Sequence, residues 1–307
     1  MPASIRLNDI LLVFVVISSM ATAIIFPDFG SRFRATPFYC LMIIFFLSYL
    51  SIDLTSVWKI LKGYGGQIVI FTAMKLALLP VIIFFIFYFI APNYALSALL
   101  LTGVSVGVVA PMVSNMVQGN SPMVLVVVVI TSTLAPFTLP ALIKMIASKE
   151  MVISFLSMLQ MLVTVIFIPI IFVEIIRYLL PRLITPILKI RFPVSLLLFA
   201  LINLGVFFRY APFFKKEPSV IILSTVVAFA LATIYCVVGL TFFRKGSVEN
   251  QIAGAVMLGN PNNVLVIVFS SEFFGPVEPL VAAMYTIPFW MIVIPLRYYR
   301  HRKTQLA

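Results

Sequence analysis

Apolar residues run along this chain in stretches near twenty residues, separated by short polar or basic gaps. A run of that length matches the thickness of a bilayer core when coiled as a helix. Ten such runs are predicted: roughly 10–26, 37–55, 67–91, 94–118, 121–145, 151–178, 194–211, 219–242, 250–274 and 278–298. Asp53 shortens the second, and the seventh carries Asn203 and stops at Arg209. Ala21-Thr22-Ala23 has the small-residue look of a leader cleavage site. The apolar run continues through Phe26, so this segment is read as the first helix. The stretch 179–193, with Pro181, Pro186 and Pro193 among basic residues, reads as an interfacial connector.

Two runs are interrupted by polar, proline-containing gaps. The first reads Gly107-Val-Val-Ala-Pro111-Met-Val-Ser114-Asn115, the second Gly259-Asn260-Pro261-Asn262-Asn263. Pro111 and Pro261 lie 150 residues apart in a chain of 307. A span whose backbone opens inside the membrane must face protein or a watery cavity, because lipid satisfies no free N–H or C=O. Matched breaks in two halves point to the binding site of a secondary transporter. Asn260-Pro261 reads as a cap followed by a first helical residue. Each broken span then presents free carbonyls on one side of the gap and free N–H groups on the other. If the two breaks cross, Ser114, Asn115, Asn260, Asn262 and Asn263 supply hydrogen bonds there. The bland alternative is a pair of proline kinks, which is how Pro80, Pro136, Pro140, Pro169 and Pro288 are read.

A faint internal repeat accompanies the breaks. Thr133-Leu-Ala-Pro136-Phe137 recurs as Thr286-Ile-Pro288-Phe289, and the apolar runs 68–90 and 220–242 are also offset by 152. Five spans per copy makes the copies inverted in the membrane. The expected fold is all-α: ten transmembrane helices in two inverted five-helix repeats, with broken, crossed helices 4 and 9. The whole chain, 1–307, is read as one membrane transporter domain, with repeat one about 1–147 and repeat two about 148–300.

Composition supports the membrane reading, with 63% hydrophobic and 10% charged residues against about 25% charged in soluble domains. The net charge of +12 is distributed by side. With the N-terminus in the cytoplasm, 13 Lys and Arg fall inside and 7 outside, with Lys75 left within a span. That bias supports both termini in the cytoplasm; the expected location is the plasma (inner) membrane. The basic residues thus report topology and anionic lipid, with no nucleic-acid partner. Cys40 and Cys236 both lie in spans, and His301 is in the basic tail. Neither a disulfide framework nor a metal cluster follows from them. No cofactor is expected, with sodium or a proton as the coupling ion.

Lys75 sits about eight residues into its span, in Phe71-Thr-Ala-Met-Lys75-Leu-Ala-Leu-Leu-Pro80. A charge at that depth, roughly 12 Å along a helix, is a functional hypothesis by default. The alternative is snorkelling to the cytoplasmic face. Glu174, Glu272 and Asp53 all lie near span ends. A central lysine without a carboxylate suits an anionic substrate or a cluster of helix-end carbonyls.

These residues resemble the bile acid:sodium symporter family. Ala110-Pro-Met-Val-Ser-Asn-Met-Val-Gln-Gly119-Asn120, then Thr131-Ser-Thr-Leu-Ala-Pro136 and Pro140, are similar to its broken fourth span and its fifth. Tyr49-Leu-Ser-Ile-Asp53-Leu-Thr, Lys75 to Pro80, and Asn262-Asn263-Val-Leu-Val-Ile-Val with Phe273-Phe274 resemble its second, third and ninth. The resemblance implies crossed broken helices, a panel and a core that move against each other, and small organic anions taken up with sodium. The departures fall on the implied sodium ligands. Val109-Ala110-Pro111 stands for Ala-Ser-Asn, Met257 for a glutamate, Pro261-Asn262 for Gln-Asn, and Lys75 for a glutamine. The expectation is that the Lys75 ammonium holds the place and charge of sodium, leaving transport proton-coupled or uncoupled. The auxin efflux carrier family is the close second resemblance, through the proline in each break, and implies an organic acid permease. An intramembrane enzyme lacks a catalytic set within the spans. A sensor built on a transporter fold is the further alternative, against which the missing soluble output domain speaks unless a partner chain provides one. A channel would show rings of repeated charge or a filter loop, and the oligomeric state is left open.

Overall fold

The computed structural model describes residues 7–50, 65–147 and 154–305. Asp53 and the basic residues Arg6, Lys59, Lys62 and Lys149 lie outside the described residues. The described chain is helical, and its β structure there is one isolated bridge.

Apart from the short helices Pro27–Ser31 and Ala211–Lys216, the helices in order are α1 (Leu7–Ile25), α2 (Thr36–Tyr49), α3 (Gly65–Ile90), α4 (Ala95–Gly103) and α5 (Ala110–Met116). They continue as α6 (Ser121–Ala147), α7 (Phe155–Leu179), α8 (Ile184–Phe207), α9 (Ser219–Phe242) and α10 (Val248–Gly259). The last are α11 (Asn263–Phe273), α12 (Val277–Met284), α13 (Thr286–Met291) and α14 (Val293–Gln305). Among the described residues six helical stretches are long and apolar enough to cross a membrane: 65–90, 121–146, 155–179, 181–216, 219–242 and 277–303. The shorter apolar helices include 10–25, 36–49 and 263–273. The protein is an integral membrane protein. Its exposed large side chains are correspondingly apolar, Phe89, Ile90, Phe14 and Ile222 among them.

The connector expected at 179–193 is instead largely helical. α8 begins at Ile184, with Pro186 in its first turn, where a missing N–H costs nothing. Ile184, Ile187 and Leu188 then turn inward while Lys189 stays exposed, so the segment is amphipathic. Pro193 is carried inside the helix.

Two groups of helices emerge from the packing. α1 and α2 both pack on α8, and α2 also on α7. In the second group α3 packs on α4 and α6, α5 on α6 and α10, α9 on α10 and α12, and α11 on α12. The α9–α10 crossing is the closest of these. A Cβ built on Gly239 would lie 2.3 Å from the Gly254 carbonyl oxygen, and one on Gly254 the same from that of Gly239. Small residues permit such approach where no hydrophobic force drives helices together in lipid. Gly239→Ala is expected to lower stability by about 1–3 kcal/mol, the usual cost of overpacking. Thermal unfolding in detergent checks this; an unchanged midpoint would contradict the packing.

Candidate functional site: the crossing of two broken helices

The chain after α4 runs Val104-Ser-Val-Gly-Val-Val, rich in β-branched residues, which favour extended backbone. Val106 there forms an antiparallel bridge with Pro261. The Gly107 N–H donates to the Asn260 carbonyl at 2.7 Å, and the Asn262 N–H to the Ser105 carbonyl at 2.9 Å. The two breaks therefore cross and pair backbone to backbone. Val106 and Pro261 face each other as the pair that exchanges no bond between themselves, so Pro261 stands where no N–H is wanted. Gly107 is needed for the approach: its Cβ would lie 2.9 Å from the Asn260 oxygen and 3.1 Å from that of Pro261.

Two further backbone groups find side chains. The Val106 N–H donates to Thr131 Oγ1 at 3.0 Å, while that hydroxyl donates to the Val127 carbonyl at 2.7 Å. Tyr285 Oη donates to the Gly259 carbonyl at the end of α10, at 2.9 Å. Thr131 and Tyr285 are not marked as site residues by sequence; for Thr131 the available signal is its place in the Thr-Ser-Thr-Leu-Ala-Pro run.

Each predicted site residue has a definite place. Pro111 lies in the first turn of α5. In the second break the capping residue is Asn262, not Asn260. The Asn262 carboxamide oxygen accepts from the Leu265 N–H at 3.3 Å. Pro261 is held extended by the bridge, which moves the helix start to Asn263. Asn260 is fully buried and donates from Nδ2 to the Phe289 carbonyl at 2.9 Å. Asn263 Nδ2 donates to the Ala282 carbonyl at 3.2 Å and to Thr286 Oγ1 at 2.9 Å. Ser114 is buried, 2.7 Å from where a Gly119 Cβ would stand. Asn115, one residue on and a third of a turn around α5, is exposed and accepts from Ser121 Oγ at 3.1 Å. Residues 260, 262 and 263 are thus brought together at the crossing, and Asn115 is not.

Lys75 is 1% exposed, so it does not snorkel. Its ammonium donates to the carbonyls of Thr102 at 3.0 Å and Val104 at 2.8 Å, where α4 runs into the break. Those are groups a helix C-terminus leaves free, at the negative end of its dipole. Lys75 lies in a π-helical turn, Met74–Leu78, within α3. The Leu79 N–H reaches back to the Met74 carbonyl, a widened turn just before Pro80, whose ring crowds the carbonyl four residues back. Thr102 Oγ1 also hydrogen-bonds the Tyr235 hydroxyl at 2.6 Å.

Between the helix groups lies a cavity of about 50 Å³. One wall is Leu12 and Val16 of α1, Ile44 and Ser48 of α2, and Phe199, Ile202 and Asn203 of α8. The other is the crossing itself, from Gly107 to Val109 and from Pro261 to Val264, with Ile267, Thr286, Phe289 and Trp290. That volume holds a few waters, at roughly 10–15 Å³ for each. Among the described residues no group of three or more His, Cys, Asp or Glu gathers to hold a metal.

The chain matches the Sodium Bile acid symporter family over residues 38–217, well over half its length. The chain belongs to that family. A comparison with curated proteins finds no match. Members of the sodium bile acid symporter family are transporters, not enzymes, so a small-molecule substrate and a membrane are its partners. The matched region holds Lys75, the first break and Thr131, and ends before the second break.

Proposed function

We propose that this sodium bile acid symporter family member is a secondary active transporter of a small organic anion, working by alternating access without bound sodium. The observation that carries this is the Lys75 ammonium seated on the Thr102 and Val104 carbonyls. A fixed cation there holds the place and charge that a sodium ion would otherwise take. Buried charge needs a partner, and the end of α4 supplies it without a carboxylate. Met257, where the resemblance implies an acidic ligand, is fully buried among apolar residues. Coupling is then to protons or absent.

The same reading takes ten spans in two inverted repeats, 1–147 and 148–300, within one domain, both termini in the cytoplasm of a plasma membrane. The paired breaks support it, each with a threonine hydroxyl beside it: Thr131 accepts from the Val106 N–H and Thr286 from Asn263 Nδ2. Asn260, Asn262 and Asn263 are assigned to the substrate side of the crossing, and Lys75 to its charge balance. Ser114 is buried in α5 behind it. An auxin-efflux-carrier-like organic acid permease is the second reading, favoured by Pro261 within the bridge.

The test is uptake of labelled organic acids into proteoliposomes. Replacing the sodium gradient with potassium is expected to leave the rate within about twofold, far below the tenfold that 1.4 kcal/mol of coupling would give. Strict dependence on sodium would sink the reading.

A further inference from the structure

The two helix groups meet along α11. That helix touches α2, α7 and α8 of the first group while it packs on α12 of the second. At the end of α11 away from the crossing, polar bonds also join the groups. Arg209 Nη1 donates to the Ser271 carbonyl at 3.2 Å, and Tyr210 Oη donates to the same carbonyl at 3.3 Å. The Arg209 guanidinium also lies 3.8 Å from the Glu272 carboxylate. Ser271 is in the last turn of α11, where carbonyls lack an intrahelical partner and the helix dipole is negative. A carbonyl oxygen has two lone pairs, and here donors from the other group take both.

Both donors are fixed to the first group. α8 ends at Phe207, and the chain continues through a helical turn, Phe208–Tyr210, into the short helix Ala211–Lys216. The Tyr210 ring packs on Phe214, which is itself buried and stands beside Phe207. The Arg209 guanidinium lies over the Phe208 ring. The helix Pro27–Ser31 presses on Phe208 in turn: a Cβ on Gly30 would come 2.6 Å from the Phe208 Cβ. Arg209 and Tyr210 therefore travel with α8, and Ser271 travels with α11.

The place of this contact relative to the cavity gives it a role. On α11 the cavity lining reaches Ile267, and the contact is at Ser271, one turn or about 6 Å further on. On α8 the lining reaches Asn203, and Arg209 follows about 9 Å further along. Two walls of the cavity are thus tied together a short way beyond it, on the side that the proposed topology puts outside. The tie is of a kind that can open. Arg209 and Glu272 keep 33% and 47% of their side chains exposed, where an ion pair contributes little. The backbone bonds that hold the second group together at the crossing join buried residues.

We infer that Arg209 and Tyr210 on the Ser271 carbonyl form a latch, which holds the cavity closed toward the outer face and parts each time α8 and α11 separate there. The inference rests on the transport reading above and names residues that gate it. The plain alternative is a staple that only adds stability. A staple, once removed, lowers the unfolding temperature and leaves access to the cavity as it was.

The test places a reporter, Ile267→Cys, on the cavity wall of the full chain with Cys40→Ala and Cys236→Ala. Its reaction with a membrane-impermeant maleimide is followed from each face, in intact cells and in inside-out vesicles. Arg209→Gln combined with Tyr210→Phe is expected to speed labelling from the outer face about tenfold, equivalent to about 1.4 kcal/mol. Labelling from the inner face should be no faster. Arg209→Lys keeps a cationic donor and should fall between parent and double variant. Tyr210→Phe alone removes one oxygen and keeps the ring on Phe214, so it guards against a double variant that folds poorly. It should give a rise of roughly threefold, the loss of one hydrogen bond. Outer labelling that stays unchanged overturns the latch, with or without a lower unfolding midpoint. So does labelling raised alike from both faces, as loosened packing would raise it. Uptake of organic acids by the parent in either case keeps the transport reading. A parent that takes up no organic acid overturns both.

Discussion

Lys75→Ala is expected to abolish uptake and to lower stability by roughly 3–5 kcal/mol, the upper part of the range for truncating a long buried side chain. Two losses combine. The carbonyls of Thr102 and Val104 lose their donor, and an unpaired buried acceptor costs about 1–3 kcal/mol. The void left by a long side chain at a site only 1% exposed adds the rest. Lys75→Met separates the two effects, since it restores volume without charge. It should recover part of the stability and none of the uptake. Thermal unfolding in detergent and proteoliposome uptake are the measurements. Wild-type uptake in the Met variant would show that the ammonium is not part of the transport site.

Gly107→Val is expected to be as damaging, for a different reason. Its branched side chain begins 2.9 Å from the Asn260 carbonyl oxygen and 3.1 Å from that of Pro261. Both are backbone, held in place by the bridge, so neither can yield as a side-chain tip would. Separating the strands breaks the bonds from Gly107 to Asn260 and from Asn262 to Ser105. Four buried groups lose partners, at about 1–3 kcal/mol each before any relaxation. The Val variant should fail to give monodisperse protein in detergent or retain negligible uptake. Gly107→Ala, with one methyl to place, should be milder. A Val variant as stable and active as the parent would mean that the breaks do not cross this closely.

The breaks are legible in the sequence because glycine, proline and asparagine stand out against a run of Val, Ile and Leu. Lys75 is legible for the same reason. What lies across each break is not. The partner of Gly107 is a backbone carbonyl at residue 260, and backbone groups leave no mark on residue type. Asn203 reads only as a weakness in its span, because a single amide in an apolar helix does not declare which wall it will face. Asn115 reads as a site residue because it follows Ser114, but adjacent residues on a helix point about 100° apart, and only Ser114 turns inward. The prolines at 186 and 193 read as breakers, although a first-turn position tolerates one and a kinked helix the other. Local composition thus marks where regular structure fails, and tertiary pairing decides what repairs it.

The bridge also sets an order of events during biosynthesis. Lys75 and the carbonyls of residues 102 and 104 belong to one stretch of chain, so the first half can neutralise its lysine as soon as α3 and α4 are inserted. The Gly107 N–H and the Ser105 carbonyl cannot be satisfied in their final way until residues 260 and 262 have been made. At about 5–20 residues per second, that delay is on the order of ten to thirty seconds. The Met116 carbonyl, at the end of α5, waits longer still for Arg297. Through that interval the first half needs water, lipid headgroups or an insertion chaperone to cover an open break. A chain truncated before residue 260 should therefore be a substrate for membrane quality control rather than a stable half-transporter.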